Sequence, residues 1–356
     1  MDAIGIERGR EGPRLLEVPN PEPSEGEALV RTLRVGVDGT DHEVIAGTHG
    51  SFPEGDDYLV LGHEAVGVVE EPNGTRFDPG DVVAPTVRRP PHGAGTGYFE
   101  RGEADMAPPE ETLERGIDGA HGFMSEYFTS SGEFLVSVPD DLASLGFLLE
   151  PLSISEKALE LAYASRSSFS WDPESAFVLG NGPLGLLTVA MLAGDMRVYC
   201  LGRRDRPDPS IDILDGLGAT YVDSRETPIE EVPAVYEPMD LVYEATGYAK
   251  HAFGSIDALA PNGVAALLGV PEPWEFEIDG GRLHKEFVMH NKALVGSVNS
   301  GLDHFRAAID RLESLPSGFL DAFVTEIAPH RAFDPAFEQG TTNIKTAVEF
   351  DSYEKH

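Results

Sequence analysis

Residues 175–192 read "SAFVLGNGPLGLLTVAML", and the reading of this stretch decides the fold. Ser175 to Leu179 form a short apolar run of strand type. Three glycines, Gly180, Gly182 and Gly185, then lead into a longer apolar run that starts at Pro183. A lone GxGxxG is a weak signal, but behind a strand and at the opening of a helix it has the context of a dinucleotide-binding turn. Gly180 permits the tight turn, Gly182 lets a pyrophosphate approach the backbone, and Gly185 lets helix and strand pack closely. Asn181, Pro183 and Leu184 complete the turn. The helix start offers unpaired N–H groups and the positive end of its dipole to an anion. A glycine-rich turn without a ligand is the competing reading.

Working outward, strand-like and helix-like runs alternate: "SAFVLG", "PLGLLTVAMLAG", "RVYCLG", "DILDGLGA", "DLVYEATG", "HAFGSIDALA", "GVAALLGV" and "KALVGSV". Alternation of this kind predicts a parallel sheet covered by helices on both faces. The second strand ends at Gly202-Arg203-Arg204. An NAD-selective site carries an acid there to hold the ribose 2′-hydroxyl. Guanidiniums suit a 2′-phosphate instead. NADP is therefore the expected cofactor, with NAD accepted; a surface role for the two arginines is the alternative. Thr246, then Leu268, Gly269 and Val270, then Ser297, Val298 and Asn299 follow later strands at the same sheet edge. They are candidates for nicotinamide and ribose contacts.

Residues 1–150 are different. Short β-like runs ("EALVRTLRVGV", "AVGVVEE", "DVVAPTV", "EFLVSVP") are separated by Gly, Pro and Asn, which predicts a β-rich barrel or roll. Residues 82–122 read as an irregular insert, rich in Pro and Gly. Residues 142–166 turn helical, with Pro151 expected to break or kink the helix just after Glu150. Residues 302–356 are mixed, and the late run "IKTAVEF" has no partner in the α/β order, so it is expected to pack on the first domain.

Charge is the strongest global signal. The chain of 356 residues carries 62 acidic and 26 basic residues, a formal net charge of −36, and only six of the cations are lysines. Such a charge repels phosphate backbones and argues against nucleic-acid binding. The acids are scattered among apolar runs, unlike a disordered acidic tail. Molar salt screens their repulsion to a few ångströms, so the composition reads as adaptation to a salt-rich cytoplasm. No run of 18 apolar residues and no signal-peptide pattern occur, so no membrane partner is expected. The single cysteine, Cys200, excludes intrachain disulfides and Cys-cluster zinc sites.

The run "RVGVDGTDHE", residues 34–43, puts Asp38 where a hydrophobic strand meets a tight turn. Asp often caps such a turn. Downstream, "LVLGHEAVGVVEE" holds His63-Glu64, and "FLLEP" ends an apolar stretch at Glu150. Asp38, His63 and Glu150 offer two oxygens and one nitrogen, and three protein ligands plus an open position is the pattern of catalytic zinc. Each feature alone is weak: a lone His is often just a satisfied polar residue, and Glu-Pro is a common helix boundary.

"GVDGTD", "GHEAVGVV" and "GNGPLG", taken together, resemble the zinc-dependent medium-chain dehydrogenase/reductase family over nearly the whole chain. With "VRRPP", "KALELAYASRSSF" and "CLGRRDRPDP", the chain is similar to the glucose 1-dehydrogenase branch found in halophilic archaea. The resemblance implies a GroES-like β-rich catalytic domain (1–152 and 302–356) and a Rossmann doubly wound parallel-sheet domain (153–301). It implies oxidation of β-D-glucose at C1 to gluconolactone. Asp38 replaces the cysteine usual in the wider family, His63 and Glu150 match the other zinc ligands, and Glu64 lies beside the metal. The four-cysteine structural zinc site of the family is missing, so one zinc is expected. Thr40 matches the hydroxyl that contacts the reacting oxygen; an ST-turn is its alternative. Glu114, Glu150 and Asn299 are implied as sugar contacts, although Glu114 also fits a solvated surface acid. His121 fits either the pocket or a structural role. A homodimer or homotetramer is the family norm. Two other readings remain open: a different aldose or polyol as substrate, and a non-catalytic NADPH-binding sensor.

Overall fold

The computed structural model describes residues 1–91, 97–340 and 342–353. It divides into two compact units. One comprises Met1–Ser153, Asn299–Ser314 and Val324–His356; the other comprises Ile154–Val298 and Leu315–Phe323. Among the described residues, no helix is long and apolar enough to cross a membrane.

The first unit is built on the 11-residue strand Glu27–Val37, whose second half is buried on both faces. It pairs antiparallel with Glu64–Glu71, Tyr127–Ser131 and Lys345–Glu349. The late run "IKTAVEF" thus has its neighbours here: Thr346 lies opposite Val37, and Lys345–Glu349 also pairs parallel with Val324–Pro329. In the same register Gly36 lies opposite Glu64. A Cβ at Gly36 would stand 1.9 Å from Glu64 Oε2, so this strand end needs glycine to let the carboxylate lie across it. A core of aliphatic and Phe side chains, including Val35, Leu61, Phe123 and Val348, sits behind this sheet.

Two expectations about this unit are corrected. The β-like run "DVVAPTV" forms strand Val82–Pro85 as expected, but the rest of the insert 82–122 is not wholly irregular: it contains strands Arg88–Arg89, Leu113–Arg115 and Gly119–Ala120 and the short helix Gly97–Glu100. Strands of two or three residues are too short to show a period, and Pro and Gly in the links mask them. Residues 92–96 of the insert lie outside the described residues. Pro151 breaks nothing. It is the third residue of helix Leu149–Ala164, where a backbone N–H would have no intrahelical acceptor.

The second unit is a six-stranded parallel sheet. Its order is Thr220–Asp223, Arg197–Gly202, Ser175–Leu179, Met239–Glu244, Leu259–Leu267, Ala293–Gly296. The order reverses beside Ser175–Leu179, which makes the carboxyl end of that strand the switch point where such sheets bind ligands. Strand Thr220–Asp223 has no counterpart in the sequence reading, because it offers only two apolar residues between polar ones.

Candidate active site

Strand Glu27–Val37 delivers Asp38 to the start of helix Gly39–Ala46, and the two oxygens of Asp38 face different ways. Oδ1 accepts the Asp41 N–H at 3.0 Å, while Asp41 Oδ2 accepts the Asp38 N–H at 3.1 Å, a reciprocal cap. Oδ2 lies 3.5 Å from His63 Nε2. The turn-cap reading of Asp38 is therefore met by one oxygen, which leaves the other for a second partner.

His63 follows Gly62, whose φ of +84° and packing against Val35 and Met124 require glycine. The imidazole is buried, and its Nδ1 has no hydrogen-bond partner, with Asp41 Oδ1 3.9 Å away. Glu64 is buried in ion-pair contact with the buried Lys345 Nζ, although the approach lacks hydrogen-bond alignment at Oε2. Lys345 also donates to the Val37 carbonyl at 3.1 Å. Asp38, His63 and Glu64 offer ligand atoms that all lie within 4.8 Å of one another. Glu150 stands outside that tight group, buried in the first turn of its helix and within electrostatic reach of all three.

The electrostatics follow from this crowding. Burial raises Glu150 to about 8 and Asp41 to about 7, and it raises Glu64 as well. Asp38 goes the other way. Burial opposes its charge, but the His63 ring, Lys345 and the Asp41 N–H hold it well below the usual carboxylate range. Burial also opposes the charge on His63, and Asp38, Asp41 and Glu150 together lift it well above its ordinary value. One imidazole and one ammonium serve four carboxylates. The site is short of positive charge, and its donor chemistry, oxygens plus one imidazole nitrogen, fits a divalent cation such as zinc.

Around this group, Thr40 lies in the first turn of helix Gly39–Ala46, half-buried. Glu114 Oε1 accepts from Asn299 Nδ2 at 3.2 Å, so these two predicted sugar contacts are neighbours. Asn299 has φ +57°, a left-handed conformation that Asn tolerates better than most residues. His121 is engaged elsewhere: its Nδ1 accepts the Val60 N–H at 3.3 Å, Nε2 lies 3.1 Å from Asp56 Oδ2, and the ring stacks on Tyr58 at 4.6 Å.

In the second unit, Gly180 has φ +113°, and a Cβ on Gly185 would stand 1.9 Å from the Gly180 carbonyl oxygen. Gly182 caps helix Pro183–Leu192 with open space where a Cβ would be, as an approaching phosphate requires. Leu184 lies in the first turn of that helix. The side chain of Asn181 is tied to Ser210 Oγ at 2.7 Å. An open groove of about 1060 Å³ is lined by Gly180, Asn181, Gly182, Arg203 and Thr246. The two arginines are not equivalent. Arg203 is exposed in the groove, whereas Arg204 Nη1 donates to Asp208 Oδ2 at 3.2 Å. Leu268 and Gly269 direct their N–H groups to the Glu244 carbonyl, Val270 is exposed, Ser297 Oγ is buried without a hydrogen-bond partner, and the Val298 carbonyl accepts from Lys157. None of these five lines the groove.

Sequence reasoning missed Asp41, Lys345 and three groove residues, Lys250, His251 and Arg282. The Asp-x-x-Asp spacing of a capping box could have found Asp41. Nothing local marks Lys345, which meets Glu64 only through strand pairing.

A GroES-like β-rich unit joined to a switch-point parallel sheet, with a buried Asp/His/Glu donor set, is the build of a medium-chain dehydrogenase. Residues 24–140 match the alcohol dehydrogenase GroES-like domain and residues 143–350 match the glucose dehydrogenase C-terminus. The chain belongs to the glucose dehydrogenase family. It is 63% identical to glucose 1-dehydrogenase of Haloferax mediterranei, over 99% of this chain and 100% of that protein. It is 65% identical to glucose 1-dehydrogenase 1 of Haloterrigena turkmenica, with the same coverage. The solved Haloferax mediterranei glucose dehydrogenase in complex with NADP, Zn and gluconolactone matches with a TM-score of 0.98, at 63% identity, over 99% of this chain and 100% of that one.

Proposed function

We propose that this chain oxidises β-D-glucose at C1 to glucono-1,5-lactone, with NADP as the preferred hydride acceptor and NAD also accepted. The observation that carries this reading is the cation-deficient group of Asp38, His63, Glu64 and Glu150, in a chain 63% identical to a glucose 1-dehydrogenase. When bound, zinc supplies Lewis acidity at the C1 oxygen and the nicotinamide accepts the C1 hydride. We assign one zinc per chain to Asp38, His63 and Glu150. Asp38 Oδ2 and Glu150 contribute anionic oxygens, and His63 contributes Nε2. Lys345 holds Glu64 beside this set. Thr40 takes the proton of the C1 hydroxyl and passes it towards solvent. Glu114, Glu150 and Asn299 hold sugar hydroxyls, because carboxylates and amides suit vicinal hydroxyl pairs. The turn from Gly180 to Gly185 receives the pyrophosphate, and Arg203, with Arg204 behind it, faces the 2′-phosphate. Thr246, Leu268 to Val270 and Ser297 to Asn299 supply the nicotinamide side of the cofactor site.

The test is direct. Purified protein in molar KCl should reduce NADP with β-D-glucose, and metal analysis should find one zinc per chain. Oxidation of a different aldose or of a polyol, with glucose inert, would remove the sugar assignment. Full activity after exhaustive chelation would remove the metal.

A second copy of the chain is the partner we propose, as a homodimer or homotetramer. Strand Ala293–Gly296 ends the parallel sheet with an open edge, and Val288, Met289 and Val298 nearby are more than half exposed. Light scattering at working salt checks this. A salt-rich cytoplasm is the setting we propose, on the net charge of −36.

A further inference from the structure

The carboxylate that we assign to the sugar, Glu114, is held in place by a buried cation. Strand Arg88–Arg89 pairs antiparallel with Leu113–Arg115, with Arg88 directly opposite Glu114, so their side chains share a face. Arg88 Nε donates to Glu114 Oε1 at 2.9 Å, and Asn299 Nδ2 donates to the same oxygen. Oε1 is thus occupied from two separate segments of chain, while Oε2 takes no part in either bond. The guanidinium is anchored in turn: its Nη1 donates to the carbonyls of Asp105 at 3.1 Å and Ala107 at 2.9 Å. The Arg88 side chain is only 4% exposed, against 19% for Glu114, so the cation is fixed and the carboxylate remains reachable.

This arrangement has a physical purpose in a chain of net charge −36. A half-buried carboxylate needs a partner to stay oriented. Lysine would supply a point charge on a flexible stem. Arginine can bond the carboxylate through Nε and the backbone through Nη1 at once, which fixes direction as well as charge.

We infer that Arg88 is a positioning residue for sugar recognition: together with Asn299 it locks one Glu114 oxygen, so that the other is presented to a hydroxyl of the aldose. The inference rests on the reading of Glu114 as a sugar contact.

A double-mutant cycle on the full-length zinc-loaded enzyme in molar KCl tests it. Glu114→Ala should raise the glucose KM at least about tenfold, the scale of one lost hydrogen bond to a charged group. Arg88→Gln should raise it by a similar factor, with kcat changed by less than about threefold and with NADP binding unchanged. In the Glu114→Ala background, Arg88→Gln should add no more than about twofold. Multiplying effects in the double variant, or an unchanged KM in Arg88→Gln alone, would overturn the inference. If Glu114→Ala itself left the glucose KM untouched, the sugar-contact reading would fall first. Should Arg88→Gln not fold, the cycle runs with Arg88→Lys, which keeps the charge and loses the fork. An intermediate KM, again absent in the Glu114→Ala background, supports the inference; a KM equal to wild type overturns it.

Discussion

Asp38 shows how one side chain can serve two purposes, and the two can be separated. Asp38→Asn keeps a capping oxygen for helix Gly39–Ala46, whereas Asp38→Ala loses it at a cost of about 1 kcal/mol. In zinc-free unfolding the Asn variant should therefore be the more stable of the two. Their zinc-induced stabilisation should be alike, and short of wild type, because both lose the anionic ligand. Equal zinc binding by wild type and Asp38→Asn would remove Asp38 from the ligand set. The neighbouring acids give a pH signature. Without metal, Glu150 keeps its proton up to about pH 8, whereas an ordinary glutamate releases it above 4.5. Over that window the native state binds more protons than the unfolded state, so stability falls as pH rises. His63 acts with the same sign, since the stability from its raised value is lost as pH climbs. Asp38, held low, acts only below this window. Thermal melts of chelated protein should move down between about pH 5 and 8, and saturating zinc, which displaces these protons, should flatten the slope. At the cofactor, the unequal arginines predict unequal variants. Arg203→Ala should raise the NADP KM at least about tenfold and leave the NAD KM nearly unchanged. Arg204→Ala should do less, because its guanidinium is already committed to Asp208. Equal losses with both cofactors in Arg203→Ala would make that residue structural.

Elements were legible in proportion to their length and period. The alternation from residue 175 onward, the glycine turn and strand Glu27–Val37 carry strong apolar patterns, and they form strands and helices close to where those patterns lie. Thr220–Asp223 and the short strands of the insert carry no such period, and register rather than local sequence creates them. The site follows the same rule. Asp38, His63 and Glu150 stand at the ends of strong runs and could be seen. Lys345 and Arg88 matter only through partners on other strands, Glu64 two strands away across Glu27–Val37 and Glu114 directly opposite, which no local pattern reveals. Close packing at the glycine turn gives a test at this scale. Gly185→Ala places a methyl against the Gly180 carbonyl and must move helix Pro183–Leu192 off the turn. Dinucleotide affinity should fall at least about tenfold, at a cost of roughly 1–3 kcal/mol in stability, while zinc content stays at one per chain. An unchanged NADP Kd would show that the turn does not hold the pyrophosphate.

At the scale of the molecule, charge dominates. The surface arginines are spent on acids: Arg197 grips Glu237 with two bonds of 2.8 Å, and Arg225 and Arg282 hold Asp223 and Asp257. The remaining acids repel one another. At about 0.1 M salt that repulsion reaches about 10 Å, and at 1 M about 3 Å. Tm should rise steadily between those conditions in KCl, and activity should follow it. A Tm that ignores salt would sever composition from environment. The pairing of Lys345 with Glu64 also bears on synthesis. Lys345 lies 308 residues beyond Val37, yet it donates to the Val37 carbonyl and neutralises the acid beside His63. Synthesis runs from the N-terminus, so a nascent chain exposes Asp38, His63 and Glu64 without their cation until 308 residues beyond Val37 have been added. Charge balance at this site is therefore a late event in synthesis, and a chain that stops short of Lys345 carries an acidic pocket without the cation that serves it.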